Sequence, residues 1–158
     1  MNTEEINRFV QRFTEMFNKP DIDIADEIFA PNFLAHLPLA PILDLPNFKS
    51  FVQGFYDAIP DFWQEVNDSI LAGDRLVLRV TYHGTHRGDF MGISPTGREM
   101  TMPGIGIFRI ENGLIVENWA EIDVFGVLQQ VSEVESPSPK ITHESLFDVD
   151  QRLYRFTN

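Results

Sequence analysis

Trp119, Glu121 and Asp123 stand two residues apart in the sequence, and side chains at that spacing share one face of an extended strand. An indole beside two carboxylates is a set that can move protons. In an aromatic cavity, desolvation disfavours the charged carboxylate and raises its pKa, which suits proton transfer near neutrality. Intramolecular aldol closure needs a base to take a proton α to a carbonyl and an acid to protonate the new alkoxide. One shuttling carboxylate does both, and Glu121 and Asp123 are the two that this face offers. The competing reading is that Asp123 caps the end of the strand and bonds to backbone. His36, His83 and His86 are the other proton-transfer candidates. His83 and His86 differ by three, so a regular strand points them to opposite faces. No H-x-H or H-x-x-x-H pair is present, and the expectation is no metal and no cofactor.

The elements that must position these groups follow from periodicity. Asn112-Gly113 is a two-residue hairpin signal, and the alternating run after it predicts a strand from Leu114 to Phe125. Its other face reads Leu114, Val116, Asn118, Ala120, Ile122 and Val124, mostly apolar and suited to packing or a partner. Upstream, Ile6, Phe9, Val10, Phe13, Met16 and Phe17 predict an amphipathic helix over 4–18. A short second helix follows Asp23 and ends before Pro31, and residues 31–46, with four prolines, are expected to be irregular. A third helix from Asn47 to Ala58 carries Phe48, Phe51, Val52, Phe55 and Tyr56 on one face, with Phe55 a candidate for cavity wall. After Asp61 the period changes to two. Strands are expected over 62–71, 75–87 and 100–111, with a broad connection at Gly88–Gly97. Three helices and then a four-stranded antiparallel meander is an α+β order, and a strongly curved sheet of this kind encloses a cone-shaped pocket against its helices.

The 158 residues fit one domain with a real core, and 43% apolar content with 14 Phe argues against disorder. No apolar run is long enough for a membrane span, and Met1–Glu5 lacks the features of a signal peptide, so a cytoplasmic location is expected. The absence of Cys excludes disulfides and thiolate chemistry. A formal net charge of −12 opposes nucleic acid and anionic membranes as partners. Ser136–Pro139 is linker-like, and Leu146–Phe156 is apolar enough to dock on its own domain or on a neighbouring subunit.

Two stretches, GTHRGDFMGISPTGRE (84–99) and IFRIENGLIVENWAEIDVFGVLQQ (107–130), resemble the SnoaL-like polyketide cyclases and ester cyclases of the NTF2-like superfamily. The likeness covers roughly residues 5–131 and leaves 132–158 as a separate tail. It implies a curved sheet around three helices, a cone-shaped cavity and a homodimer through the outer face of the sheet. It also implies that Asp123 matches the acid/base Asp of the cyclases, that Gly106 and Gly104 stand where the best-known members carry a His and another polar residue, and that His36 is nearest to a ligand-contacting position after the second helix. The expected ligand set is therefore Asp123 with His36, Trp119, Glu121, His86, Phe55, Gly104 and Gly106. Two function classes follow. One is a cofactor-free enzyme acting on a small apolar carbonyl compound by cyclisation or isomerisation, or by epoxide or ester hydrolysis. The other is a non-catalytic ligand-binding or dimerisation domain.

Overall fold

Helix α1 (Thr3–Asn18) buries Phe9, Phe13, Met16 and Phe17, the stripe that its apolar spacing predicts. The computed structural model describes residues 3–132, so the expectations for the tail lie outside the described residues. A 3-10 turn at Ile22–Ile24, capped by Asp21, leads into the single turn of α2 (Ala25–Ile28). Helix α3 (Leu45–Ala58) starts on Asp44, whose carboxylate accepts from Asn47 N–H at 3.0 Å, with Pro46 in its first turn. The Tyr56 hydroxyl on α3 donates to the Met16 carbonyl at 2.6 Å and ties the two long helices together.

The sheet has six strands rather than the four of the expected meander. These are β1 (Phe29–His36), β2 (Leu43–Asp44), β3 (Trp63–Ala72), β4 (Arg75–Thr85), β5 (Glu99–Glu111) and β6 (Leu114–Ile122), in the order β2-β1-β6-β5-β4-β3. Strand β1 occupies the first half of the segment expected to be irregular. It tolerates Pro31 because its pairing with β6 shifts register between Phe29 and Leu34, so the missing N–H falls where the ladder is already broken. β1 runs parallel to β6 while the other pairs are antiparallel, which makes the sheet mixed. Asn112 and Gly113 both have positive φ, 51° and 80°, as the tight turn between β5 and β6 requires.

Strand β6 also ends earlier than expected. It stops at Ile122 because Asp123 turns the chain into α4 (Val124–Val131), accepting a hydrogen bond from Gly126 N–H at 2.8 Å. Val124, Val127, Leu128 and Val131 have helical spacing, and Val127 and Val131 are buried. Beyond the end of β6 the exposed edge of β5 is closed by a side chain. The Gln130 amide accepts from Thr101 N–H and donates to Thr101 C=O, both at 2.8 Å, in place of a strand neighbour.

The sheet's two faces separate cleanly along β5. Met100, Met102, Gly104, Gly106, Phe108 and Ile110 point to the buried side, while Thr101, Pro103, Ile105 and Ile107 point away. The helices cover the buried side. Phe9 and Phe13 of α1 pack edge-on to Phe108, with centroids 5.8 and 5.2 Å away. Phe17 meets Tyr82 at 5.4 Å, and Tyr82 stacks on Phe62 at 5.2 Å.

Candidate functional site

A cavity remains between α1, α3 and the inner face of the sheet. Phe13 and Phe17 come from α1, Phe48, Phe51, Val52 and Phe55 from α3, and Leu78, Val80, Tyr82, Met102, Gly106 and Phe108 from the middle strands. Strand β6 contributes Asn118, Ala120 and Ile122. The lining is aromatic and aliphatic, and its polar side chains are the Asn118 amide and the Tyr82 hydroxyl. The volume is about 60 Å³. An engineered cavity that holds benzene is about 150 Å³, so a ligand of that size must part the aromatic wall.

The face of β6 that reaches the cavity is the opposite of the one the sequence pattern selects. Between Arg109 and Ile110 the pairing of β5 with β6 slips by one residue, and Val116 is the extra residue of a bulge. Ile115 and Asn118 therefore both point inward, while Glu117, Trp119 and Glu121 point outward. Trp119 and Glu121 do not line the cavity. Trp119 lies parallel to the His36 ring, 5.4 Å between centroids and 6° between planes, with the Arg75 guanidinium 5.1 Å from its ring centroid. His36 also faces outward, and its Nε2 lies 2.9 Å from Glu117 Oε1. The Arg109 guanidinium donates twice to the second oxygen of Glu117, at 3.1 and 3.0 Å. His36 first and Arg109 second hold the Glu117 carboxyl below its ordinary value.

The remaining candidates divide. Phe55 and Gly106 line the cavity. Gly104 faces the same side, but a Cβ there would press on Ile122 and the Glu121 carbonyl, so the glycine accommodates the neighbouring strand rather than widening the pocket. At Gly106 a Cβ would press on the Phe108 ring at 3.0 Å and meet the Asn118 amide at an ordinary 3.4 Å, so this glycine makes room for Phe108 on the cavity floor. His86 is fully buried outside the cavity, its Nδ1 3.0 Å from the Thr96 hydroxyl. His83 stacks on Trp63 at 4.2 Å and lines a separate polar cleft on the outer face with Asp61, Thr85, Glu99 and Thr101. Asp61 accepts from the Thr85 hydroxyl and backbone N–H, both at 2.7 Å, and the hydroxyl is the larger cause of its lowered pKa.

Asp123 stands one residue beyond Ile122, which lines the cavity, but its carboxylate is exposed and occupied as the cap of α4. Its oxygens lie so close over Gly126 that a Cβ there would overlap them. Of the alternatives open in the sequence, backbone capping is the contact this structure shows.

Comparison with known proteins adds the lineage. The family of SnoaL-like polyketide cyclases matches residues 7–131. The chain belongs to that family. Its SnoaL-like fold is shared by TsrD from Streptomyces laurentii, 23% identical over 85% of this chain and 99% of that one, with a TM-score of 0.78. AclR from Streptomyces galilaeus, a proposed hydroxylase, is 23% identical over 85% of this chain and 89% of its own, with a TM-score of 0.77. IdmH from Streptomyces antibioticus, a proposed polyketide cyclase, is 30% identical over 78% of this chain and 96% of its own, with a TM-score of 0.71. No curated protein matches the chain.

Two cavity residues of this SnoaL-like domain escape the sequence reading. Asn118 is assigned to the packing face because its neighbours there are apolar. The available signal is that it is the one amide in that run, flanked two residues on by the small Ala120. Tyr82 reads as one more β-former. Burial, and secondarily Tyr56, pushes its phenol well above the ordinary value, so it stays protonated as a hydrogen-bond donor. Tyr56 itself is pushed up to about 12 by burial.

Proposed function

We propose that this protein is a cyclase- or isomerase-type enzyme that performs acid/base chemistry on a small apolar carbonyl compound, with Asp123 as the proton carrier. The observation that supports the reading best is that an almost entirely apolar cavity is lined by β6 up to Ile122, and the next residue is a carboxylate on a short, reversible cap. Such a cavity takes up the hydrocarbon body of a ligand. In the aldol form of the reaction, the Asp123 carboxylate takes the proton α to one carbonyl. The resulting enolate carbon forms a bond to the second carbonyl carbon, whose π electrons move to oxygen. The alkoxide then takes the proton back from Asp123, so the carboxylate is regenerated. For this the carboxylate must swing from Gly126 towards Ile122, a side-chain rotation that exchanges one hydrogen bond.

Asp123→Asn keeps the shape and can still accept from Gly126 N–H. With a small ketone or diketone substrate, turnover is expected to fall on the order of 10²–10⁴-fold while fold and ligand affinity persist. A variant that keeps most of its kcat removes Asp123 from the mechanism.

A second reading rests on a specific observation. Among the described cavity-lining residues there is neither a carboxylate nor an imidazole. A domain that only binds an apolar ligand would look the same, and it would bind ligand equally with Asp or Asn at position 123 and turn over none.

A further inference from the structure

Asn118 is 4% exposed, yet it projects into a cavity whose other walls are almost all hydrocarbon. Its one hydrogen bond among the described residues runs from Nδ2 to the Ile107 carbonyl at 3.4 Å, beyond the usual 2.7–3.2 Å range. Its second N–H and its side-chain carbonyl make no hydrogen bond among the described residues. A buried amide left this way costs about 1–3 kcal/mol, a penalty that a leucine of similar shape avoids. The buried amide of Gln64 also lacks partners, but it does not line the cavity and has nothing to meet there.

We infer that Asn118 is a ligand-specifying residue, whose amide hydrogen-bonds an acceptor oxygen at the α1 end of the cavity. The ring of Phe108, its cross-strand partner, packs on Phe9 and Phe13 of α1, which fixes that end. Asp123 lies five residues further along. At about 3.3 Å of rise per residue the two Cα atoms are roughly 16 Å apart. Asn118 is therefore an anchor remote from any proton transfer at Asp123. The substrate class that uses both is an elongated apolar molecule carrying a second oxygen function at the end away from the reacting carbon. This extension to substrate length rests on the proposed role of Asp123, whereas the recognition of an oxygen acceptor by Asn118 does not.

The test uses an isosteric pair of probes, cyclohexanone and methylenecyclohexane, which differ by one acceptor oxygen. Affinities are measured by NMR titration of wild type, Asn118→Leu and Asn118→Ala. The ratio of ketone to hydrocarbon affinity should fall about three- to tenfold in both variants, the worth of one neutral hydrogen bond. The side-chain amide resonances of Asn118 should shift with the ketone and stay in place with the hydrocarbon. The melting temperature of Asn118→Leu should equal or exceed that of wild type. An unchanged affinity ratio would overturn the inference. So would failure of wild type to bind either probe, or a sharp loss of stability in both variants with the ketone preference intact, because the amide would then be structural. Asp123→Asn leaves this ratio untouched, so loss of the catalytic reading and loss of this one are separate results.

Discussion

Asp123 is observed in one use, as a cap, and the proton transfer proposed for it would compete for the same carboxylate. As a cap it satisfies Gly126 N–H, one of the donors that the first turn of α4 leaves open. As an acid/base it must leave that position. The contact is tight because residue 126 is glycine, and this gives a way to separate the two uses. Gly126→Ala adds a Cβ where the carboxylate rests and displaces it. The cap is worth about 1 kcal/mol, and alanine in place of glycine returns a similar amount through helix propensity, so the melting temperature alone decides little. The coupling decides it. Asp123→Ala should cost about 1 kcal/mol in the wild-type background and only a few tenths in Gly126→Ala, measured by denaturant unfolding. Turnover of Gly126→Ala should be retained and should still depend on Asp123. Equal costs in both backgrounds would mean that the carboxylate was not acting as a cap.

The helices and the central hairpin were legible because their signals are local. The Phe spacing of α1 and α3, and the Asn112-Gly113 turn, each specify a conformation within a few residues. Strand β1 was hidden by Pro31, since the register shift that accommodates a proline belongs to the partner strand as much as to its own. The bulge at Val116 hid the site itself. Alternation over Leu114–Phe125 assumes an unbroken period of two, and one extra residue exchanges the faces of everything after it. Glu121, which the pattern assigned to the pocket, faces outward instead, and on that outer face Glu117 of β6 forms a clamp with His36 of β1 and Arg109 of β5. The clamp has a pH signature. The pKa of Glu117 is lowered in the folded state, so its contribution is fully present above the ordinary glutamate value of 4.5 and is lost as pH falls through the lower folded-state value. Glu117→Gln should therefore destabilise the protein near pH 7, and the two unfolding curves should converge in acid. A constant difference down to pH 3 would mean that the clamp contributes nothing through ionisation.

At the scale of the whole molecule the outer face of the sheet presents large apolar side chains to solvent. Leu34 is 41% exposed, Ile105 51% and Ile107 40%. The registers line these residues up. Val77, Ile107, Trp119 and His36 form one row across four strands, with Arg79, Ile105 and Glu121 on one side and Arg109, Glu117 and Leu34 on the other. Each flanking row carries arginine towards β4 and β5 and glutamate on β6. A twofold axis through the central row would set the basic end of one copy against the acidic end of the other and bury the apolar row between them. This self-complementarity offsets the repulsion expected from a net charge of −12. The protein is accordingly expected to be a homodimer through this face, with roughly 800 Å² buried on each partner if the interface is of ordinary size. Light scattering at micromolar concentration should give the mass of two chains, and the melting temperature should rise with protein concentration. Ile107→Glu places a charge at the centre of the row without entering the cavity, because its side chain points away from the helices. It should yield a folded monomer that still distinguishes cyclohexanone from methylenecyclohexane. A wild-type monomer would reject the interface, and a dimeric Ile107→Glu would move it to another face.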